Sequence, residues 1–188
     1  MSRLPAVLGT DDLPLAELCA ARLDGDVIAW RDGFVPIDEP DLPALRARLL
    51  ALGVDRALVL DRRSAAWVHG AGQVAPARTQ FCVDASARTT VRAELGHVRE
   101  VTLDPGDVEL IGEVRCTTRA RTVYDLVRDP DSTAADLGLV AQLLQPQPAV
   151  AVAVRDRLEG AFRLPYKRAA LARLDDATVR AGSVRLSA

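Results

Sequence analysis

Apolar residues recur along this chain with two different periods, and the periods mark its elements. Behind Asp11-Asp12-Leu13-Pro14, an acidic cap and a first-turn proline, Leu15, Leu18, Cys19 and Leu23 follow at helical spacing until Asp24-Gly25. Asp26 to Trp30 and Phe34 to Ile37 flank Arg31-Asp32-Gly33 and predict a β-hairpin. Asp41 and Pro43 open a second helix with Leu42, Leu45, Leu49, Leu50 and Leu52 on its apolar side and Gly53 near its end. After a short apolar run, Arg56 to Leu60, Asp61 is placed to cap a helix over Arg62 to His69, stopped by Gly70 and Gly72. Thr79 to Asp84, Val98 to Leu103, Val108 to Ile111 and Glu113 to Thr117 have strand length and strand composition, with turns at Asp104-Pro105-Gly106 and Gly112. Thr117-Thr118 caps a helix over Arg119 to Arg128 with Val123, Leu126 and Val127 apolar, and Ser132 caps one over Thr133 to Gln145. Pro148 to Val154 alternates like a strand, but its continuation to Leu158 and its helical neighbours predict a helix; Pro165 opens the last one, with Leu171 and Leu174.

The pattern predicts an α/β (α+β) fold. Residues 1–56 form a small helix–hairpin–helix lobe. Residues 57–175 form a mixed β-sheet followed by a C-terminal helical subdomain, and residues 176–188 a basic tail. The boundary falls near residues 52–57, where Gly53 ends a helix and the charge balance changes.

Composition narrows the class. With 188 residues, 49% hydrophobic and 27% charged, the chain suits one globular domain with at most a small appendage. No apolar run approaches the roughly 20 residues of a membrane helix, and Met1 to Thr10 lacks the pattern of a secretory signal, so a cytoplasmic location is expected, with no membrane partner. Lys167 is the one lysine, and the remaining basic residues are arginine. Net charge is −2 overall, −4 over residues 1–60 and +1 over each of 61–128 and 129–188. The C-terminus concentrates Arg163, Lys167, Arg168, Arg173, Arg180 and Arg185 against Asp175 and Asp176, which makes it the first candidate for contacting an anion such as DNA. No basic recognition helix precedes the hairpin.

Candidate chemistry is sparse. Cys19, Cys82 and Cys116 are odd in number and widely spaced, and with only His69 and His97 beside them no metal-ligand spacing arises; no metal or cofactor is expected. Cys82 and Cys116 lie in strand-like runs, where a free cysteine serves as a small hydrophobe. Trp67 and His69 fit either a core tryptophan beside a helix-end histidine or a partner-binding anchor. Arg121 and Asp125, four apart on one helix, suit a structural ion pair. An enzymatic alternative is a degenerate nuclease array of Asp84 or Asp104 with Glu113 and Arg115. Ser64 with His69 makes no triad, and no phosphate-binding glycine loop is present.

Two segments, Arg63-Ser-Ala-Ala-Trp-Val-His-Gly70 and Val114-Arg-Cys-Thr-Thr-Arg-Ala-Arg-Thr-Val-Tyr-Asp-Leu126, together resemble the AbiEi-type antitoxins of bacterial type IV toxin–antitoxin systems over roughly residues 57–175. The motif positions here are Ser64, Trp67, His69 and Gly70, then Thr118, Arg121, Thr122 and Asp125. The resemblance implies a non-enzymatic antitoxin and transcriptional regulator, with residues 1–56 as a degenerate winged helix, whose partners are its own operator DNA and a nucleotidyltransferase-like toxin or that toxin's target. A protein-interaction module without DNA binding is a further alternative.

Overall fold

A computed structural model describes residues 5–31, 33–86 and 97–185. The chain runs α1 (Leu15–Asp24), β1 (Val27–Trp30), β2 (Gly33–Pro36), α2 (Pro43–Leu50), β3 (Val59–Leu60), α3 (Arg62–Val68), β4 (Gln80–Asp84), β5 (His97–Val101), β6 (Val108–Ile111), β7 (Val114–Thr117), α4 (Arg119–Arg128), α5 (Ala134–Leu144), α6 (Ala149–Gly160) and α7 (Lys167–Arg185). β1 and β2 pair antiparallel as a separate ribbon. The main sheet has the order β5-β4-β3-β7-β6. It is mixed: β4 runs parallel to β5 and β3 parallel to β7, whereas β3–β4 and β6–β7 are antiparallel. An α+β architecture of helices and a mixed sheet is therefore established.

Two apolar cores position the rest. One packs α4, α5, α6 and α7 around Val123, Leu126, Val140, Leu143, Leu158 and Leu174, with Ala66 of α3 at its margin. The other packs Leu58, Leu60, Phe81, Val83 and Cys116 of the sheet region against Ala65, Trp67 and Val68 of α3 and Ala47 and Leu50 of α2. α3 thus serves both cores with opposite sides of a short helix, and all of Ser64 to Val68 is buried. The N-terminal segment reaches the sheet core through α2, and two satellite clusters join its own parts, Val7 with Val35 and Leu45, and Leu8 with Leu18 and Val27.

Several element ends differ from expectation for local reasons. α1 is capped by Pro14 without a side-chain bond, because Asp12 instead accepts from the Gly9 amide at 2.8 Å. Its expected apolar face is mostly solvent: Leu18 is buried, but Leu15, Cys19 and Leu23 are exposed, since the two-stranded ribbon is too narrow to cover more. Leu42, not Asp41, precedes α2, because Asp41 turns back to hold Arg46 at 2.6 Å. Leu42 itself is exposed rather than part of the apolar side.

The hairpin pairs Trp30 with Gly33, and Arg31 has φ 51°; Asp32 lies outside the described residues. Gly33 is needed for a different reason: a Cβ there would meet Leu52 and Val7 at 3.0 Å. β5 ends at Val101 rather than Leu103. Thr133, not Ser132, caps α5, through a full capping box with Asp136. α7 begins at Lys167 rather than Pro165 and continues to Arg185, so Arg180 and Arg185 stand on a helix.

Candidate functional site

The most concentrated chemistry is a chain of charges between the sheet and α4. Asp61, expected as the cap of α3, makes no capping bond; its carboxylate accepts from Arg99 Nε of β5 at 2.6 Å. The same guanidinium reaches Asp125 at 2.7 Å. Asp125 accepts from Arg121 Nε at 3.0 Å, the expected pair one helical turn apart. Arg121 then donates to Asp107 and to the Thr102 carbonyl at 2.9 Å. Arg157 of α6 completes the chain, donating to Asp107 at 2.5 Å and to Asp104 at 2.8 Å. Tyr124 lies beneath the guanidinium of Arg157, 4.5 Å from its ring centroid.

Asp61, Arg121, Asp125 and Asp107 are buried, and burial alone disfavours charge there. Burial raises the Asp107 carboxyl, but bonds from Arg157 and the Asp104 amide and the charge of Arg121 outweigh it and hold the group at about 2. At Asp61 burial is the largest influence and pushes the carboxyl upward against Arg99. Asp136 of α5 is handled like Asp107: burial raises it, and the bidentate Arg63 and the Thr133 amide bring it to about 2. Arg62 pairs with Asp129 at 3.0 Å, so the two arginines that open α3 fasten it to the ends of α4 and α5.

The other motif positions are structural joints. Ser64 Oγ, fully buried, accepts from the Gln80 amide at 2.8 Å and ties α3 to β4. Trp67 stacks on Trp30, ring centroids 5.8 Å apart at 5°, with Arg46 over its face, 5.1 Å from the centroid. Its indole N–H is buried without a hydrogen-bond partner. His69 closes α3, and its Nε2–H donates to the Thr117 carbonyl at 2.8 Å, which fixes the tautomer because a carbonyl only accepts. Burial, joined by the nearby Arg119 charge, depresses its pKa against that bond and so favours the neutral ring. Gly70, at φ 90°, supplies the left-handed residue past the helix end. Thr118 caps α4 through the Arg121 amide, and Thr122 bonds Thr117 hydroxyl to hydroxyl at 2.7 Å. Cys82 and Cys116 are buried, and burial pushes both thiols upward, away from reactivity.

The basic C-terminal residues do not form one anion-facing set. Lys167 donates to the Ala161 carbonyl at 3.1 Å and to that of Glu159, closing the end of α6. Arg173 closes α4 through the carbonyls of Val127 and Asp129 at 3.0 and 2.7 Å. Arg180 pairs with Asp176 at 2.7 Å. Arg163 and Arg168 are exposed and make no ion pair among the described residues. The Arg185 side chain lies outside the described residues.

The nuclease array is likewise dispersed. Asp104 precedes β6 and Glu113 follows it, at opposite ends of that strand. Asp84 shares an end of the sheet with Glu113, but β3 lies between β4 and β7, which separates them by two strand spacings, roughly 9–10 Å. A shared divalent ion needs oxygens at about 2.0–2.6 Å. No group of three or more candidate ligands gathers among the described residues. Among them, too, no helix is long and apolar enough to cross a membrane.

Sequence reasoning found Arg121–Asp125 but missed Asp61, Arg99, Asp107 and Arg157 as its partners. The signal available was weak: an arginine inside the β-branched run of β5, and acids placed in capping or turn positions. No protein-family model matches the chain, and no curated protein matches it.

Proposed function

We propose that this chain is a non-catalytic, antitoxin-like regulatory protein that works by binding, opposing a nucleotidyltransferase-like toxin and acting on its own operator. The observation that supports this reading is the closure of the charge chain. The guanidinium groups of Arg99, Arg121 and Arg157 pair with Asp61, Asp125 and Asp107, so each of these buried carboxylates is engaged by an arginine as a structural partner. Such a motif holds a helix in place, which suits a surface that must keep its shape for a partner.

The test is co-expression with a nucleotidyltransferase-like toxin, should a neighbouring reading frame encode one, scored by growth, with binding to the protein's own promoter followed by fluorescence anisotropy. Restored growth supports the antitoxin reading. Cleavage of DNA with Mg²⁺ or Mn²⁺ that disappears in Glu113→Gln supports the nuclease alternative instead. Promoter binding without restored growth leaves a transcriptional regulator, and absence of both leaves an interaction module.

A further inference from the structure

We infer that the turn joining α6 to α7 is a contact site for single-stranded nucleic acid, with Phe162 and Tyr166 as platforms for unpaired bases and Arg163 and Arg168 as phosphate partners. Phe162 is 85% exposed and Tyr166 69% exposed, two of the chain's five Phe and Tyr residues within one short turn. Elsewhere, aromatic rings are used inside: Trp67, Phe81 and Tyr124 are buried. Two large rings held in water at one turn have no role in either core.

The turn is braced. Leu164, between the two rings, packs against the helical core, and Lys167 ties the start of α7 to the last carbonyls of α6. Arg163 and Tyr166 have φ of 51° and 56°, a region non-glycine residues seldom occupy. Backbone of this kind persists where the surroundings dictate it, and here the turn carries both rings outward into solvent.

Charge complements the rings. The guanidinium of Arg163 lies over one face of Phe162, 5.0 Å from the ring centroid, so a base would stack on the other face with the positive charge close by for its phosphate. Arg163 and Arg168 make no ion pair among the described residues, whereas the basic residues nearby are engaged: Arg155 with Asp175, Arg157 with Asp107 and Arg180 with Asp176.

Single strands fit this surface better than a duplex. In a duplex the base faces are already stacked, and base edges are read by polar side chains in a groove, not by rings on a convex turn. A bilayer fits less well, because Leu164 is turned inward and α7 continues with Asp175, Asp176 and Arg180 on its exposed side. The site is independent of toxin neutralisation and makes no claim on the operator.

The test uses the full chain and a fluorescein-labelled oligothymidine in anisotropy titrations at several salt concentrations, beside a duplex of equal length and anionic phosphatidylserine vesicles. Phe162→Ala and Tyr166→Ala should each weaken oligothymidine binding about tenfold, within the range for loss of one stacked base, while Phe162→Trp retains it. Both residues are exposed, so unchanged melting temperatures verify that the variants fold. Arg163→Ala with Arg168→Ala should flatten the log–log salt slope by about 1.4, from about 0.7 for each of two phosphates on a single strand. Absence of oligothymidine binding by the full chain at low salt overturns the inference. So does binding that both alanine variants retain, stronger binding to the duplex, or ring-dependent capture by vesicles alone.

Discussion

Replacing Asp107 by asparagine isolates the charge that joins α4 and α6 to the sheet. The asparagine side chain has nearly the same shape but carries no charge, and it presents an amide hydrogen where Asp107 presents a second acceptor. In the folded chain the Asp107 carboxyl falls from 3.8 to about 2. At 1.36 kcal/mol for each tenfold change in acidity, that depression corresponds to about 2 kcal/mol of stability at neutral pH. Removing one partner of a buried pair costs about 3–5 kcal/mol where the other is stranded. Here Arg157 is one-third exposed and regains water, while Arg121 keeps Asp125 and the Thr102 carbonyl. The loss should therefore lie near the lower figure, about 2–3 kcal/mol.

Urea unfolding followed by tryptophan fluorescence at pH 7 measures it directly. The pH dependence gives a second readout. A folded-state carboxyl more acidic than the unfolded one contributes fully above 3.8, and its contribution drains away as pH falls towards 2. Asp107→Asn should remove about 2 kcal/mol of the wild-type loss across that window and leave the part owed to Asp136. A loss below about 0.5 kcal/mol at pH 7, or an acid profile parallel to wild type, would refute the reasoning that this charge fastens the helices.

Trp67→Ala should cost about 3–5 kcal/mol, as for a buried aromatic whose removal leaves a cavity, and should abolish any near-ultraviolet dichroism from the Trp30–Trp67 stack; an unchanged melting temperature would contradict its burial. Thr133→Ala removes the hydroxyl half of the α5 capping box and should cost about 1 kcal/mol, or about 2–4 °C in melting temperature for a chain of this size. Asp136→Asn should give an acid profile complementary to that of Asp107→Asn, and the double variant should add the two losses, because the carboxylates are held by different arginines.

What the sequence revealed was local, and what it hid was distant. α4 was legible because its cap, Thr118, its apolar set and its Arg121–Asp125 pair all lie within one helix. Gly70 and Gly112 were legible because a left-handed turn residue announces itself. The partners that complete the charge chain sit 38 residues apart for Asp61–Arg99 and 50 for Arg157–Asp107, and no short-range spacing rule connects them. Asp61 does occupy the N-cap of α3, and its backbone carbonyl opens the helix, but nothing in one dimension shows that its carboxylate pairs with Arg99 instead of capping. The same blindness affects the basic C-terminus: counting charges cannot tell Arg163, pointed into water, from Arg173, folded back on the carbonyls of α4. Ser132 and Thr133 are both competent caps by type, and only Asp136, three residues after Thr133, decides between them.

The charge chain and the exposed aromatic turn are linked by α6. Arg157 lies in its last turn and is fixed by Asp107 and Asp104, while Leu158 beside it is fully buried in the helical core. From there only a few residues lead to Phe162, and Lys167 fastens the return into α7. The position of the turn relative to the sheet is therefore set by a polar contact on one side of α6 and an apolar one on the other. On the apolar side, Val150, Val154 and Leu158 repeat every four residues and form one buried ridge along α6. The guanidinium–carboxylate contacts of Arg157 add a directional constraint to that packing. On this account the buried charges do little for net stability compared with apolar side chains of the same volume. Their contribution is directional: they hold α6 to the loop before β6 and to α4, close to the turn that carries Phe162 and Tyr166.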